Sequence, residues 1–373
     1  IEGAGSPAEI NLKKYELVNM RIARLAKAPV LLVGDIDKGG VFASLVGTLA
    51  LLDSRERRYI KGFVINKFRG DISLLKPGLD YLEKRTRRPV VGVIPYYHNI
   101  LIPEEDSIYI MGKSTEQGDI IDIAVIYLPH ISNSTDFEPL QQEEGVQVRY
   151  VSNVNELGYP DAIIIPGTKS TIADLAILQR AGLADEITKR ARTGTPVIGI
   201  CGGFQMLGRE IHDPNHAESE EGCTRGLGLI DVSTTFDSQK STHQVRARVL
   251  CHHGLLEGME EQEMVGYEIH MGQTTGEHLM SPFQVTRRSG YEVNYCDGAV
   301  DASGKILGTY LHGLFDNTHF RHVFLARLRQ WRGITHIPQT PIPTREEQYD
   351  KLAEIVRHSL NIDSVYKICG LGN

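Results

Sequence analysis

A cysteine at position 201 stands in a pattern that suits a nucleophile. It follows the apolar run 196–200 within the stretch GICGGFQMLG, so a predicted strand leads into Gly-x-Cys-x-Gly and then into a predicted helix. This is the nucleophile-elbow arrangement with cysteine in place of serine. The glycines permit the sharp turn that exposes the sulfur, and the helix N-terminus offers backbone N–H groups to a developing oxyanion. A core cysteine on a glycine turn is the alternative interpretation.

A cysteine nucleophile needs a base, which is most often histidine. His312 lies in ILGTYLHGLF, where an apolar run ends, and a predicted strand there would bring the imidazole to the same edge of a sheet. His270 follows Glu268 at strand spacing, so these two side chains share one face. That face could line a substrate pocket or be a solvated strand surface. His312 is therefore the candidate base.

A second loop follows another apolar run, in AIIIPGTKST. Gly167 permits close approach of the backbone to a ligand, and Ser170 or Thr171 would cap the helix that follows. The loop could supply a second oxyanion donor, or it could be an ordinary capped turn between a strand and a helix.

Short Val/Ile-rich runs alternate with amphipathic stretches along the chain. Most of the runs are apolar throughout, which is typical of strands buried on both faces of a parallel sheet. Predicted strands are 29–33, 62–65, 89–94, 121–127, 146–151, 162–165, 196–200 and 306–311; predicted helices are 12–27, 41–52, 74–84, 171–180, 204–210 and 319–332. This alternation predicts an α/β fold with doubly wound, mostly parallel sheets.

The polar stretch GKSTEQGD at 112–119 separates two such series. We therefore predict a first domain over 1–117 and a second over 118–334. The remainder, 335–373, is predicted to be a proline-rich connector followed by a C-terminal helix. The polar, acidic stretch 212–225 is predicted to be a loop within the second domain.

Composition and charge exclude some classes of protein. The 373 residues hold 40 Lys and Arg against 47 Asp and Glu, a net charge of −7, which disfavours a nucleic-acid partner. No apolar run approaches the roughly 20 residues of a membrane-spanning helix. Five cysteines, an odd number without C-x-x-C spacing, and the lack of a signal peptide indicate a cytoplasmic protein.

Polar residues in the first domain follow predicted strands, the first of which is taken to end at the very start of the chain, at Ile1. Glu2, the pair Asp35 and Asp37, and Asn66 would all lie at carboxyl ends of strands, where open α/β sheets bind ligands. Carboxylates beside glycines suit Mg²⁺ and phosphate, although each stretch alone could be a surface turn. The GKS at 112–114 is not a phosphate loop, because Ser107 stands where the pattern requires glycine.

The segments PGTKST, GICGGFQMLG and TYLHGLF, in this order, resemble class I glutamine amidotransferases, which release ammonia from glutamine through a cysteinyl thioester. The resemblance implies that Cys201 attacks the amide and that His312 is its base. It also implies that the backbones of Gly167 and Gly202 form an oxyanion hole and that Gln205 helps bind glutamine.

One position departs from the common pattern of that class. Leu314 stands two residues after the histidine, where most members carry glutamate. The orienting carboxylate must come from elsewhere, or the site works as a dyad. The cobyric acid synthase and cobyrinate diamide synthase branch is known to lack that glutamate.

Most of the chain resembles the cobyric acid synthase family, whose ATP domain is similar to dethiobiotin synthetase. The matching stretches include EGAGSPAEINL, VGDIDKGGVFAS, GFVINKFRGD and GYEIHMGQT. The resemblance implies a Mg²⁺ ligand in Glu2, an adenine contact in Asn66, and a loop with Asp35 and Asp37 that faces the carboxylate substrate. In the family a phosphate loop precedes EGAG. The chain is therefore expected to start after it, with an incomplete P-loop-type domain and only the glutaminase half intact.

The family's reaction uses ATP, Mg²⁺ and glutamine to amidate the b, d, e and g carboxylates of adenosylcobyrinic acid a,c-diamide, a corrinoid of cobalamin biosynthesis. Three alternatives remain open. They are the sister cobyrinate a,c-diamide synthase, a non-catalytic binding protein on the amidotransferase fold, and a cysteine hydrolase acting on another amide.

Overall fold

The computed structural model describes residues 1–373 except 4, 38, 98–99, 101–119, 220–221, 278–279, 336–344 and 372–373. Contacts divide the chain into two compact units, one of 1–102 with 343–373 and the other of 103–342. The stretch 112–119, with its GKS, and nearly all of the connector lie outside the described residues. The sequence predicts 335–373 to be a separate segment, whereas the contacts place 343–373 in the first unit.

The first unit is built on three parallel strands in the order β1-β2-β3. Its elements are a 3₁₀ turn (Lys13–Tyr15), α1 (Met20–Ala26), β1 (Val30–Asp35), α2 (Val41–Leu51), α3 (Ser54–Arg57), β2 (Ile60–Phe68), α4 (Ile72–Thr86) and β3 (Val90–Pro95). The apolar residues Phe63, Val64 and Ile65 bury the central strand β2. Because parallel strands need crossovers, helices α2 and α4 follow the ends of β1 and β2.

The second unit contains two sheets. Its elements are β4 (Ile121–Ile126), a 3₁₀ turn (Ser134–Phe137), α5 (Glu138–Gln141), β5 (Val146–Val151), α6 (Val154–Leu157), β6 (Ala162–Ile165), α7 (Thr171–Arg180), α8 (Leu183–Arg192), β7 (Val197–Ile200), α9 (Gly202–Leu207), β8 (Glu210–His212), β9 (Cys223–Arg225), β10 (Ser233–Val249), a 3₁₀ turn (Gly254–Leu256), β11 (Glu263–Thr275), β12 (Phe283–Arg288), β13 (Tyr291–Asp297), β14 (Ala299–Val300), β15 (Ile306–Thr309), β16 (Leu311–His312), a 3₁₀ turn (Leu314–Asp316) and α10 (Thr318–Arg332).

The first sheet of the second unit has six strands in the order β14-β15-β7-β6-β4-β5 and is parallel except for the β14–β15 pair. The hydrophobic core of this unit surrounds that sheet. Strands β6, β7 and β15 are buried along their whole length. Successive side chains alternate between faces. Accordingly, Ile163 and Ile165 pack with helices α7 to α9, whereas Ile164 packs with α10 and the second sheet.

The second sheet is largely antiparallel, and the sequence did not predict it. Its strands run β13-β12-β10-β11-β16, and β8 and β9 extend it beside β10. These strands mix buried residues with partly exposed and exposed ones, so they lack the continuous apolar runs used as the strand signal. The stretch 212–225, predicted as a loop, has strand residues at both ends, because His212 closes β8 and Cys223 opens β9.

The predicted strand 306–311 is two short strands. β15 belongs to the six-stranded sheet, and β16 pairs with β11 of the second sheet. The predicted helix 12–27 is similarly divided into a 3₁₀ turn and the shorter α1.

Two C-terminal helices, α11 (Arg345–Ser359) and α12 (Ile362–Ile368), follow the undescribed stretch 336–344. Between them, the backbone N–H of Asn361 donates to the carbonyl of Val91 at 2.7 Å, and Leu360 bridges Gly92. The C-terminal segment thus packs on β3. Across the described residues, no helix has the length and apolarity to cross a bilayer.

Candidate active site

Cys201 occupies a sharp turn between β7 and α9, with φ 52° and ψ −109°. A positive φ is uncommon outside glycine, and such strain persists where the surroundings enforce it. The turn requires glycine beside it: a Cβ added at Gly203 would lie 2.0 Å from the carbonyl oxygen of Ile165. The elbow predicted from GICGGFQMLG is therefore present in the geometry.

His312 reaches the cysteine because the chain changes sheets at this point. As the last residue of β16 it pairs with Tyr267 of β11, and its ring stacks on that tyrosine with centroids 5.1 Å apart. A Cβ added at Gly167 would lie 3.0 Å from His312 Cε1 and 3.6 Å from Cys201 Cβ. The structure thus brings Cys201, His312 and Gly167 together.

Asp136, which the sequence analysis did not single out, orients His312. Its Oδ2 lies 2.6 Å from His312 Nδ1, and its Oδ1 accepts the N–H of Gly313 at 3.1 Å. His312 is 1% exposed and Asp136 is 3% exposed. A buried carboxylate bound to the imidazole in this way fixes the tautomer and ring orientation, as in a nucleophile–histidine–acid triad. Asp136 is thus placed to supply the orienting carboxylate that Leu314 does not.

The pKa of His312 is set by these neighbouring groups. Burial lowers it, but hydrogen bonds and negative charge from Asp136 and Cys201 outweigh burial and raise the pKa from 6.5 to about 10. At neutral pH the ring is therefore an imidazolium, which can donate a proton to a leaving amine.

Two backbone segments converge beside the sulfur. A Cβ added at Gly202 would lie 2.7 Å from Thr168 Cγ2 and 3.3 Å from the Thr168 backbone nitrogen. The loop after β6 and the start of α9 are thus in contact, and both carry backbone N–H groups. Such paired N–H groups are the usual components of an oxyanion hole.

Gln205 is buried and braces the pocket through both ends of its amide. Its Nε2 donates to the carbonyl of Met271 at 2.8 Å and to the hydroxyl of Tyr310 at 3.3 Å. Its Oε1 accepts the hydroxyl of Thr171 at 3.0 Å. The side chain thus joins α9 to α7 and β11, the elements that form the pocket walls.

A cavity of about 230 Å³ opens above the sulfur. Its polar lining includes two charged side chains that sequence reasoning missed, Lys169 and Glu218. Glu218 Oε2 accepts the backbone N–H groups of Thr171 at 2.6 Å and Ile172 at 3.3 Å, and burial raises its pKa despite these donors. The remaining lining residues are Ser132, Asn133, Thr168, Thr171, Cys201, Gln205, Ile269, His270 and Met271.

Glu268 and His270 have different surroundings. His270 lines the cavity and stacks on Tyr310 with centroids 4.0 Å apart, and burial lowers its pKa, so it is neutral at pH 7. Glu268 instead accepts from Arg288 Nε at 2.5 Å and from the hydroxyl of Tyr295 at 3.0 Å. Only His270 of the pair is placed to meet a ligand of this cavity.

In the first unit, three of the candidate residues lie at the carboxyl ends of β1 and β2. Asp35 is the register partner of Asn66, and its carboxylate also accepts the N–H of Asp37 at 2.8 Å. Lys67 Nζ lies 3.2 Å from Asp35, and Arg69 Nε lies 3.0 Å from Asp37.

Glu2 is exposed near the start of the chain. In the part of the chain that the structure describes, no hydrogen bond or ion pair joins Glu2 to Asp35, Asp37 or Asn66. Asp35, Asp37 and Asn66 thus lie together at one sheet edge without Glu2.

Comparison with models of protein families identifies the class of protein to which the chain belongs. Residues 122–320 match the CobB/CobQ-like glutamine amidotransferase domain, and residues 1–103 match an AAA domain. The second unit is therefore a glutamine amidotransferase domain, and the α/β fold class predicted from the sequence is confirmed.

Curated relatives narrow the class to one family. Proteins named cobyric acid synthase from Dehalococcoides mccartyi strain BAV1, Desulforamulus reducens and Moorella thermoacetica are 52%, 51% and 49% identical. Each alignment covers all of this chain and 74%, 73% and 72% of the relative, respectively. The chain belongs to the cobyric acid synthase family, as the sequence motifs predicted, and is thus a member of the glutamine-hydrolysing amidoligases.

Solved structures give a more distant likeness. PurLQS from Thermotoga maritima matches with a TM-score of 0.42 and 20% identity over 58% of this chain and 97% of that chain. The glutaminase domain of Trypanosoma brucei CTPS with bound acivicin matches with a TM-score of 0.33 and 11% identity over 60% and 98%. The family assignment rests on the sequence relatives.

Proposed function

We propose that this chain acts as a cobyric acid synthase that obtains its ammonia from glutamine at Cys201. The acceptors are the b, d, e and g carboxylates of adenosylcobyrinic acid a,c-diamide, which become carboxamides and give adenosylcobyric acid. The observation that carries the proposal is the buried chain of contacts from Asp136 to His312 at the strained Cys201 elbow. Family membership supports the choice of acceptor.

In the glutaminase step, the proton of Cys201 passes to His312, and the resulting thiolate attacks the amide carbon of glutamine. The N–H groups of Gly202 and of the Gly167 loop stabilise the oxyanion, and His312 gives its proton to the departing nitrogen, so ammonia leaves. The resulting thioester is attacked by water, whose proton passes to His312. Glutamate departs and the free sulfur is regenerated.

Two charged groups at the cavity complement the ends of the amino acid. Glu218 carries a carboxylate for the α-ammonium group, and Lys169 carries an ammonium for the α-carboxylate. Gln205 shapes the pocket by holding Thr171 and Met271 in place.

ATP supplies phosphoryl activation of the acceptor, because a carboxylate is itself a poor electrophile. Asp35 and Asp37 would repel a carboxylate substrate, but each lies beside a cation, Lys67 or Arg69. The loop that carries them therefore suits a carboxylate through those cations, and Asn66 offers an amide to adenine.

Glu2 has the donor chemistry that Mg²⁺ prefers, one carboxylate beside phosphate oxygens. It is exposed and thus accessible to such an ion. We assign Mg²⁺ to this side chain on that basis.

The nucleophile is tested by labelling the chain with a glutamine-mimicking electrophile and locating the adduct by peptide mass spectrometry. We expect one adduct, on Cys201, and none in Cys201→Ala. Cys296→Ala removes an exposed cysteine and serves as the matched control. An adduct elsewhere, or labelling that survives Cys201→Ala, would refute the assignment.

The acceptor is tested by supplying ATP, glutamine and one of two corrinoids to this chain joined to the phosphate-loop segment of a cobyric acid synthase. Carboxamide formation on adenosylcobyrinic acid a,c-diamide supports the proposed activity. Amidation of unmodified cobyrinic acid instead would assign the chain to the sister a,c-diamide synthase.

A further inference from the structure

A cluster of three metal-binding side chains lies outside the cavity, on the strand pair β8–β9. The carboxylate of Glu210, the imidazole of His212 and the thiol of Cys223 have ligand atoms that all lie within 4.8 Å of one another. His212 Nε2 is already 3.3 Å from a carboxylate oxygen of Glu210. The proposed reaction does not use these residues.

The strand register explains why the three side chains converge. His212 and Cys223 are direct partners in the antiparallel β8–β9 pair, and direct partners project to the same face. Glu210 lies two residues before His212, so it shares that face, while Ile211 between them is fully buried on the other. The cluster is therefore fixed by two strands.

We infer that Glu210, His212 and Cys223 form a binding site for Zn²⁺ or a similar borderline-soft divalent cation. One sulfur, one imidazole nitrogen and one carboxylate oxygen match the ligands that Zn²⁺ takes, at about 2.0–2.3 Å from the ion. The ligand atoms lie within 4.8 Å of one another, so small rotations of the side chains would bring each of them to such a distance from a shared ion. Water completes a tetrahedron, and the cysteine gives its proton to solvent on binding.

The position of the cluster links it to the glutaminase pocket. The hairpin between β8 and β9 carries Glu218, and buried Asp213 holds this hairpin by accepting the backbone N–H groups of Ala217, Glu218 and Ser219. An ion shared by His212 and Cys223 would tie the two strands together at the base of that hairpin. Metal binding would thus stabilise the segment that presents Glu218 to the cavity.

The site is tested with Co²⁺ as a spectroscopic probe on the full chain carrying Cys201→Ala. That background removes the thiol–imidazole pair of the elbow. We expect one Co²⁺ per chain with a thiolate-to-cobalt charge-transfer absorption, displaced by Zn²⁺. Cys223→Ser should abolish the band, and His212→Ala should weaken binding by ~10-fold or more.

Cys296→Ser is the matched control, because Cys296 is an exposed cysteine on another strand of the same sheet. It should leave the band unchanged. A band that survives Cys223→Ser would place the metal elsewhere, for example at Cys251 and His253, whose Sγ and Nδ1 are 3.4 Å apart. That result, or the lack of any band in the folded chain, would overturn the inference.

A second measurement reports on the hairpin. Zn²⁺ should slow hydrogen exchange at the amides of Ala217, Glu218 and Ser219, and the effect should be absent in Cys223→Ser. Equal exchange with and without Zn²⁺ would separate metal binding from any effect on this segment and refute the proposed link.

Discussion

At the scale of single residues, the site depends on the positive charge of His312 beside Asp136 and Cys201. The imidazole of His312 is almost completely buried, which by itself favours the neutral ring, yet Asp136 and Cys201 keep it charged. The raised pKa keeps His312 protonated at neutral pH, so it can give a proton to the departing amide nitrogen. Its contribution to folding stability follows from the sign of that shift. The contribution is complete below the ordinary pKa of 6.5 and is lost as pH rises through about 10.

We predict that Asp136→Asn lowers glutaminase kcat by ~10²-fold or more, the usual range for disturbing acid–base catalysis. Without the carboxylate the pKa of His312 falls, so the imidazolium is lost at lower pH. The alkaline limb of the kcat–pH profile should therefore move to lower pH. Steady-state ammonia release across pH measures both effects.

Asp185→Asn, an exposed change on α8, is the control and should leave the profile unchanged. If Asp136→Asn lowered kcat with no movement of the alkaline limb, Asp136 would have a purely structural role.

The residues of the site differ in how visible they were in the sequence. Cys201 and its glycines are local signals, since strand, turn and helix lie within about ten positions. Asp136 lies 176 positions before His312 in a 3₁₀ turn, and no periodicity marks a carboxylate there. Glu218 was hidden within a polar stretch that resembled a surface loop. Long-range partners of this kind emerge only from the fold.

At the scale of elements, a buried carboxylate holds the point where the chain changes sheets. Asp297 accepts the hydroxyl of Thr309, and its two oxygens each lie 3.3 Å from the backbone nitrogen of Tyr310. Thr309 ends β15, and β16 begins at Leu311, so these bonds fix the turn that positions His312. Burial raises the pKa of Asp297 from 3.8 to about 6, against the lowering effect of its hydrogen bonds.

Asp297 should make stability depend on pH. Because the folded-state pKa is raised, its stabilising contribution is complete below about 3.8 and is lost as pH rises through about 6. The difference of about two units corresponds to ~3 kcal/mol. We predict that Asp297→Asn removes this dependence, and that denaturant unfolding at pH 5 and pH 7 measures the change.

The exposed Asp185→Asn serves again as the reference variant. The quantity compared is the free energy of unfolding at pH 5 minus that at pH 7. If this difference were no larger in the wild-type chain than in Asp297→Asn, the raised pKa of Asp297 would be contradicted.

The elbow tolerates no side chain at Gly203. A Cβ there would lie 2.0 Å from the carbonyl oxygen of Ile165, so β6 and α9 would have to separate. We predict that Gly203→Ala costs about 1–3 kcal/mol of unfolding free energy and lowers glutaminase activity. Thermal denaturation and ammonia release measure the two effects.

Gly222→Ala is the control for Gly203, since a Cβ at Gly222 has no atom within 4 Å. Equal stability of the two variants would show that the backbone contact between β6 and α9 relaxes without cost.

The elements also show what apolar patterning can predict. The strands of the six-stranded sheet were visible because they are buried on both faces, as β6 and β7 illustrate. The strands of the antiparallel sheet bury one face only, so their polar residues concealed them. The predicted strand 306–311 missed the change of sheet because Thr309 and Tyr310 are common strand residues, so no glycine or proline marks the turn between β15 and β16.

At the scale of the whole molecule, the described residues of the glutaminase site all belong to the unit of 103–342. Cys201, His312 and Asp136 are contributed by three separate elements of that unit. The proposed mechanism needs no ATP to cleave glutamine, since its thioester forms on Cys201 and is broken by water alone. The glutaminase step is therefore expected to proceed without the synthetase reaction.

The most direct measurement is ammonia release from glutamine by the 373-residue chain without ATP. The proposed mechanism predicts release that Cys201→Ala abolishes and that His312→Ala lowers by ~10²-fold or more. Cys296→Ala and His319→Ala, at exposed positions, should retain full activity. Release that persists in Cys201→Ala would contradict the central claim, as would a folded chain that neither releases ammonia nor is labelled at Cys201.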